Sequence, residues 1–502
     1  MSDMTDTTSG HLDSCRSRQA ERVSSIDRRS FLARMGAVAA AAEAITSVAC
    51  RNGDAVTTAA AAQSAGGIRS ADLKERLAKD GEFGLTARYW TGRVQLEVGS
   101  RAYVLNLSNG NVADVMDVGP GSANQADVRI AGPELVWRDP RALLGLIVPA
   151  ASGLAEALRV EGDRVNHVAP YQPAVVRLVG VIREALGGAV EQAAPEVRRK
   201  FDTAVGRYVY VPIDGVQYRI YYEEAGRGIP LVLQHTAGSD GRQWRHLLED
   251  EELQHRFRMI AYDLPFHGKS VPPPSVKWWE REYRLTRDHV MNVIVSFCRT
   301  LELERPVYMG CSIGGYLAAD LALHHPKDFR AVIGVNASIA GARAPSRDTQ
   351  ARDQMNRPIG DRGLVDTNYH PRVNGASIGA SMYELTSPVA PEASRRETGW
   401  VYSQGGPGVF AGDLYYYVYD HDLEGLASKI DTSEVGVHFL SGEFDPSAVP
   451  GPLSMAALAK QIPGSTSAII KGGSHFVMSD DYQRFREALL PVLEQIESSR
   501  RS

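Results

Sequence analysis

The sequence predicts an α/β fold: a mostly parallel eight-stranded sheet with a cap insertion, preceded by a smaller α+β unit. Three observations carry this. From about residue 205 onward, short apolar runs alternate with helical stretches, as in a parallel sheet covered on both faces. One of these runs ends in Gly310-Cys311-Ser312-Ile313-Gly314, and a helical pattern begins at once. Before residue 185 the pattern is different, with alternating strands, hairpin turns and then helices.

In chain order, residues 1–50 hold Arg28 and Arg29 before Phe31-Leu32 and a weakly apolar Ala-rich stretch ending at Cys50. This resembles a twin-arginine export signal and implies a periplasmic or cell-envelope location. Ser47-Val48-Ala49-Cys50 resembles a lipoprotein cleavage box, which makes Cys50 a candidate lipid anchor. Residues 51–69 are rich in Ala, Thr, Gln, Ser and Gly and read as a linker.

A first unit is expected over 70–185. Ala71–Leu77 starts a helix, and Arg93–Val98 and Arg101–Leu107 alternate with period two. Ser108-Asn109-Gly110-Asn111 is a hairpin signal. A strand at Ala126–Ile130, a helix near 139–147, the segment Val160-Glu161-Gly162-Asp163 and a helix over 173–186 complete it. The hairpin, the strand before Ile130 and the 160–163 segment resemble the sterol-carrier-protein-2-like fold, which implies a tunnel for acyl or sterol-like ligands. Residues 186–204 read as a helical connector.

The second unit, 205–500, opens with a hairpin around Asp214-Gly215. Apolar runs then follow at Pro230–Gln234, Met259–Tyr262, Val307–Met309, Ala331–Val335, Val435–Leu440 and Ala468–Ile470. Residues of about 337–430 lack a strand–helix rhythm and read as a long insertion between two strands. Its aromatic cluster around Tyr416 is a candidate lining for an apolar pocket.

The Gly-x-Ser-x-Gly pattern occurs twice. Gly375-Ala376-Ser377-Ile378-Gly379 follows no strand and is expected in a flexible loop. Only Ser312 stands between a strand and a helix, where flanking glycines let the chain turn sharply and expose the hydroxyl.

From here the residues resemble the α/β-hydrolase superfamily, in the family's own order over nearly 300 residues. His235-Thr236-Ala237-Gly238-Ser239 is similar to its oxyanion loop, with Thr236 where Gly is usual. Asp263-Leu264-Pro265-Phe266-His267-Gly268-Lys269-Ser270 resembles the turn after its fourth strand. Ser441-Gly442-Glu443-Phe444-Asp445 and Gly472-Gly473-Ser474-His475-Phe476 stand where the family keeps its acid and its base. The resemblance implies Ser312 as nucleophile, His475 as base and Asp445 as its orienting acid, with Glu443 the nearest rival acid. It implies an oxyanion hole made by the N–H groups of Ile313 and Ala237, and a cap formed by the insertion at about 337–430 that roofs the site. Thr236, Trp244, Tyr416 and Phe476 are candidate substrate contacts. A nucleophilic Asp, as in haloalkane dehalogenases and epoxide hydrolases, is excluded by Ser312.

The expected reaction is therefore cleavage of a carboxylic ester or lactone of an apolar small molecule through an acyl-enzyme. The alternatives are hydrolysis of a carbon–carbon bond in a diketone-like substrate, or a non-catalytic lipid-binding protein. A net charge of −5 gives no reason to expect nucleic acid as a partner. No stretch reaches the roughly 18 apolar residues of a membrane span. The four cysteines are too few for a disulfide scaffold. No metal-ligand cluster or dinucleotide-type glycine turn is present, so no cofactor is expected. The oligomeric state is not legible.

Overall fold

The computed structural model of the chain describes residues 67–119, 126–147, 152–188, 201–350 and 373–499. The expected export signal, Cys50, nearly all of the expected linker, most of the expected connector and residues 351–372 lie outside the described residues.

The first unit is an antiparallel meander extended by a parallel neighbour. Helix α1 (Ser70–Lys79) leads into β1 (Gly92–Val98), β2 (Arg101–Ser108) and β3 (Asn111–Val118), and then β4 (Val128–Gly132) and β5 (Arg159–Gly162). The strand order is β3-β2-β1-β4-β5, with β1 and β4 parallel. The second hairpin closes through Asn109 and Gly110, with φ of +49° and +84°, the left-handed pair that Asn-Gly favours. β3 buries only Val115, so no period-two pattern marked it. The expected helix near 139–147 is two short helices, Glu134–Arg138 and Ala142–Ile147. Pro140 explains the break, because it disfavours helical geometry at Asp139. Helix α2 (Gln172–Ala185) packs its Leu178, Val179 and Ile182 into this unit's core.

The second unit is the expected mostly parallel sheet. Its strands are β6 (Val205–Ile213), β7 (Val216–Gly226), β8 (Ile229–Gln234), β9 (Phe257–Tyr262), β10 (Val307–Cys311), β11 (Ala331–Val335), β12 (Gly436–Gly442) and β13 (Thr466–Ile470). The order is β13-β12-β11-β10-β8-β9-β7-β6, antiparallel only where β7 pairs with β6 and β9. Helices α3 (Arg287–Thr300) and α4 (Ile313–His324) cover it, as does the C-terminal helix Tyr482–Ser498. β10 and β11 are buried at every residue, which is why their runs are continuously apolar.

Between β11 and β12 the described cap is helical: α5 (Gly375–Glu384), α6 (Glu392–Tyr402), α7 (Val409–Leu414) and a wide π-helical turn over Tyr415–Asp420. Ser377 is therefore in a helix rather than the expected loop. Asn374 caps α5 by accepting the Ser377 N–H, and the Ser377 hydroxyl donates to the Ala169 carbonyl of the first unit at 2.5 Å. The two units are also joined by a buried hydrogen bond from Gln172 to Glu384 and by Arg396, which meets Glu82 with two bonds of 2.9 Å. No helix among the described residues is long and apolar enough to cross a membrane.

Candidate active site

Ser312 sits at the junction of β10 and α4 with φ +58° and ψ −115°, a conformation that L residues hold only under constraint. The surroundings supply the constraint by leaving no room beside it. A Cβ on Gly310 would lie 2.6 Å from the Gly314 backbone, and one on Gly315 would lie 2.1 Å from the Val335 carbonyl oxygen. Gly315, which the five-residue pattern does not contain, is thus as tightly required as the two glycines inside it. The Ser312 N–H donates to the Val335 carbonyl at 3.0 Å, tying the turn to β11.

His475 comes from the loop after β13, and its Nδ1 is hydrogen-bonded to Asp445 Oδ2. The other Asp445 oxygen accepts from the Ser447 N–H at 2.7 Å and the Ser447 hydroxyl at 2.5 Å. Both carboxylate oxygens are thereby engaged in a site where Asp445 is buried. Glu443, the rival acid, instead accepts from Lys471 at 3.0 Å and the Gly472 N–H at 2.9 Å. Asn336 is a residue that sequence reasoning missed. It is 2% exposed with φ +57°, donates from Nδ2 to the His475 carbonyl at 2.9 Å, and accepts the Gly442 N–H at 3.0 Å. An Asn just past an apolar strand, where a left-handed turn suits it, is the one signal that could have found it.

Ser312 and His475 line the same cavity, together with Ala237 and a roof of Met382, Leu385, Tyr402, Phe410, Leu414 and Tyr417. The cavity is closed down to about 20 Å³, room for a single water. The serine hydroxyl and the imidazole face it without a hydrogen bond between them. The Cys311 thiol turns the other way, donating to the His475 carbonyl at 3.1 Å, and burial raises its pKa well above the usual thiol value.

The loop after β8 is held rigidly. Thr236 N–H donates to Gln243 at 3.0 Å, Gly238 N–H to Asp413 at 2.7 Å and Ser239 N–H to the Thr236 carbonyl at 3.3 Å. Among the described residues, the Ala237 N–H has no such acceptor. His235 is a brace: Nδ1 bonds the Thr236 carbonyl at 2.8 Å and Nε2 accepts the Leu264 N–H at 3.1 Å. That pattern requires a neutral ring, and burial lowers its pKa to about 4. His267 is the opposite case. Burial opposes its charge, but the Asp413 carboxylate, 2.8 Å from Nε2, outweighs burial and raises its pKa.

The proposed substrate contacts do not line this cavity. Trp244 is fully buried against Phe485 and belongs to the core beneath the sheet. Tyr416 donates to Asp320 at 2.6 Å, in a buried cluster with His421, while its neighbour Tyr417 faces the cavity. Thr236 Oγ1 is engaged by Gln243 and Tyr402. Phe476 stands edge-on to the His475 ring at 4.8 Å and braces it from the core. A run of five residues with four tyrosines does not reveal which ring faces inward when the backbone there is a π-helical turn. Asp420 and Asp422 serve backbone and hydroxyl groups, accepting from Arg287 N–H at 2.7 Å and Ser346 at 2.8 Å.

Residues 229–388 match the family model described as alpha/beta hydrolase fold. Curated relatives include bifunctional epoxide hydrolase 2 of Sus scrofa, 30% identical over 118 residues, which are 24% of this chain and 20% of that protein. The 2-hydroxymuconate semialdehyde hydrolase of Pseudomonas sp. is 27% identical over 221 residues, 42% of this chain and 70% of that protein. The chain spans only one to two fifths of the length of several curated relatives it matches. Among solved structures, a thermophilic esterase from Thermogutta terrifontis aligns at 19% identity and TM-score 0.46, covering 58% of this chain and 99% of that one.

Proposed function

We propose that this α/β-hydrolase-fold protein is a serine hydrolase, cleaving a carboxylic ester or lactone of an apolar small molecule through an acyl-enzyme. The observation that carries this reading is the shared cavity of Ser312 and His475, with the imidazole held by Asp445 from behind. In the reaction, Ser312 Oγ attacks the carbonyl carbon while His475 Nε2 takes its proton. The oxygen becomes an anion, for which the N–H groups of Ile313, at the start of α4, and Ala237 are the proposed donors. Collapse expels the alcohol, which receives the proton from His475. A water, deprotonated by the same ring, then releases the acid and restores the hydroxyl. Asp445 orients the imidazole and offsets its positive charge.

The apolar roof of Met382, Leu385, Phe410 and Leu414 supports an apolar substrate, and its closure over about 20 Å³ requires the cap to shift for entry. The resemblance to 2-hydroxymuconate semialdehyde hydrolase favours a second reading, carbon–carbon bond hydrolysis with the same three residues. A panel of p-nitrophenyl esters, aliphatic lactones and vinylogous diketones, run with the native protein and Ser312→Ala, separates them. The proposal expects turnover of esters or lactones that vanishes in the variant. Turnover confined to diketones supports the second reading, and equal rates in both proteins overturn a serine mechanism and leave a lipid-binding role. Export by the twin-arginine route stays a proposal resting on Arg28 and Arg29, tested by fusing residues 1–66 to a reporter and replacing both with Lys.

A further inference from the structure

A second cavity, of about 550 Å³, opens between the first unit and the cap. One wall is α2 of the first unit and the other is α5 and α6 of the cap. Helix α5 presents Ala376, Gly379 and Ala380 to this cleft, and its Met382 and the following Leu385 to the catalytic cavity, so one helix separates the two spaces. The volume lies within the range of small-molecule sites. Much of the lining is apolar, from Leu143, Pro173, Val176, Ala376, Ala380 and Val389.

Its charges are unequally committed. Four arginines and three glutamates line it. Arg396 pairs with Glu82 at 2.9 Å and Glu392 at 2.8 Å, and Arg395 pairs with Glu392 at 3.1 Å. Arg177 pairs with Glu184 at 2.8 Å and with Asp80 at 2.6 Å. Each glutamate is thus taken. Arg183 is the exception: among the described residues its side chain makes no ion pair or hydrogen bond, and its Nε is buried without a partner. A guanidinium kept at an apolar wall with a buried donor unmet calls for an anion from outside the protein.

We propose that this cleft binds an amphipathic carboxylate, its chain along Val176, Ala376 and Ala380 and its carboxylate on Arg183. The ligand is a small molecule with one negative charge and an apolar body, because the cleft offers one unmatched cation and a long apolar wall. The site is separate from Ser312 and does not depend on the reaction proposed above.

The test is calorimetric titration of decanoate into the full chain carrying Ser312→Ala, below the micellar range. The expected result is one saturable site. Its affinity falls at least tenfold in Arg183→Gln and is lost in Ala380→Phe, which fills the cleft. It is unchanged in Leu414→Trp, which narrows only the catalytic cavity, and decanol binds at least tenfold more weakly. The absence of saturable binding overturns the proposal. So does binding that survives both cleft variants, binding lost in Leu414→Trp, or decanol binding as well as decanoate. Matching circular dichroism and melting curves confirm that each variant is folded before it is titrated.

Discussion

Replacing Asn336 separates two contributions that the structure puts into one side chain. The residue holds the His475 carbonyl and the Gly442 N–H, at 2.9 and 3.0 Å, while its backbone stays at φ +57°. Asn336→Gly relieves the backbone, orphans the Gly442 N–H and leaves the His475 carbonyl only the weak Cys311 thiol donor. An unsatisfied buried group costs about 1–3 kcal/mol, so the N–H accounts for about 1–3 kcal/mol and the carbonyl, which keeps the thiol, for less. Asn336→Leu abandons the same groups and adds about 1–2 kcal/mol for a left-handed residue with a branched side chain. Against a typical stability of about 5–15 kcal/mol, both variants fold but melt early, Leu before Gly. Urea unfolding monitored by circular dichroism gives the two differences. Ester turnover, measured where each variant is still folded, falls at least about tenfold in both, because a His475 carbonyl held by the Cys311 thiol alone lets the imidazole leave its productive position. If Asn336→Gly unfolds at the native urea midpoint with undiminished kcat, Asn336 holds nothing of consequence and this reasoning is wrong.

Three further outcomes follow from the same geometry. Gly315→Ala, whose new Cβ would sit 2.1 Å from the Val335 carbonyl, is expected to be insoluble or destabilised by several kcal/mol, whereas Gly81→Ala, with nothing within 4 Å, leaves the urea midpoint unchanged or raises it. Asp413→Asn puts an amide hydrogen or a weaker acceptor where Gly238 N–H and His267 now meet a carboxylate, and should lower ester kcat/KM about tenfold or more while leaving the fold intact by circular dichroism. Glu384 is pushed from the usual 4.5 up to about 8, chiefly by burial. The folded protein therefore holds one proton more than the unfolded chain between those values, and its stability declines as pH rises through that window. Gln172 Nε2–H already donates to Glu384 Oε1, and a proton on Glu384 adds a second donor where Glu384 Oε2 and Gln172 Oε1 are both unmet. Glu384→Gln should flatten the fall in Tm between about pH 5 and 8, and parallel curves for the two proteins would contradict that assignment.

Much of the fold could be read from periodicity because burial writes itself into the strands. Runs such as Val307–Met309 and Ala331–Val335 are apolar throughout since both faces are covered, and β1 and β2 alternate since the first unit covers one face more than the other. β3 escaped because it is largely exposed, and exposure imposes no pattern. Pro140 is visible in the sequence, and it divides the stretch into two helices where periodicity alone suggests one. In the site, Ser312, His475 and Ala237 line one cavity and Asp445 is bonded to His475 behind it, each following a strand end, where sequence context is strongest. The pocket wall was not legible. Tyr416 and Tyr417 are neighbours in an aromatic run, and only a π-helical turn decides that Tyr417 faces Ser312 while Tyr416 serves Asp320. Trp244 and Phe476 were expected against substrate, but hydrophobic size equally suits the core, which is where packing has put them. Asn336 and Asp413 act through partners far away in the chain, and no local pattern reports such partners.

The claim at the centre is that one hydroxyl among the many serines of this chain is activated by one imidazole. Incubating the protein with a fluorophosphonate and mapping the adduct by peptide mass spectrometry addresses it directly. The account predicts a single adduct on Ser312, formed at least about a thousandfold more slowly in His475→Ala, with Ser377 unmodified in its helix. An adduct on another serine, no adduct at all, or labelling as fast without the imidazole would contradict it.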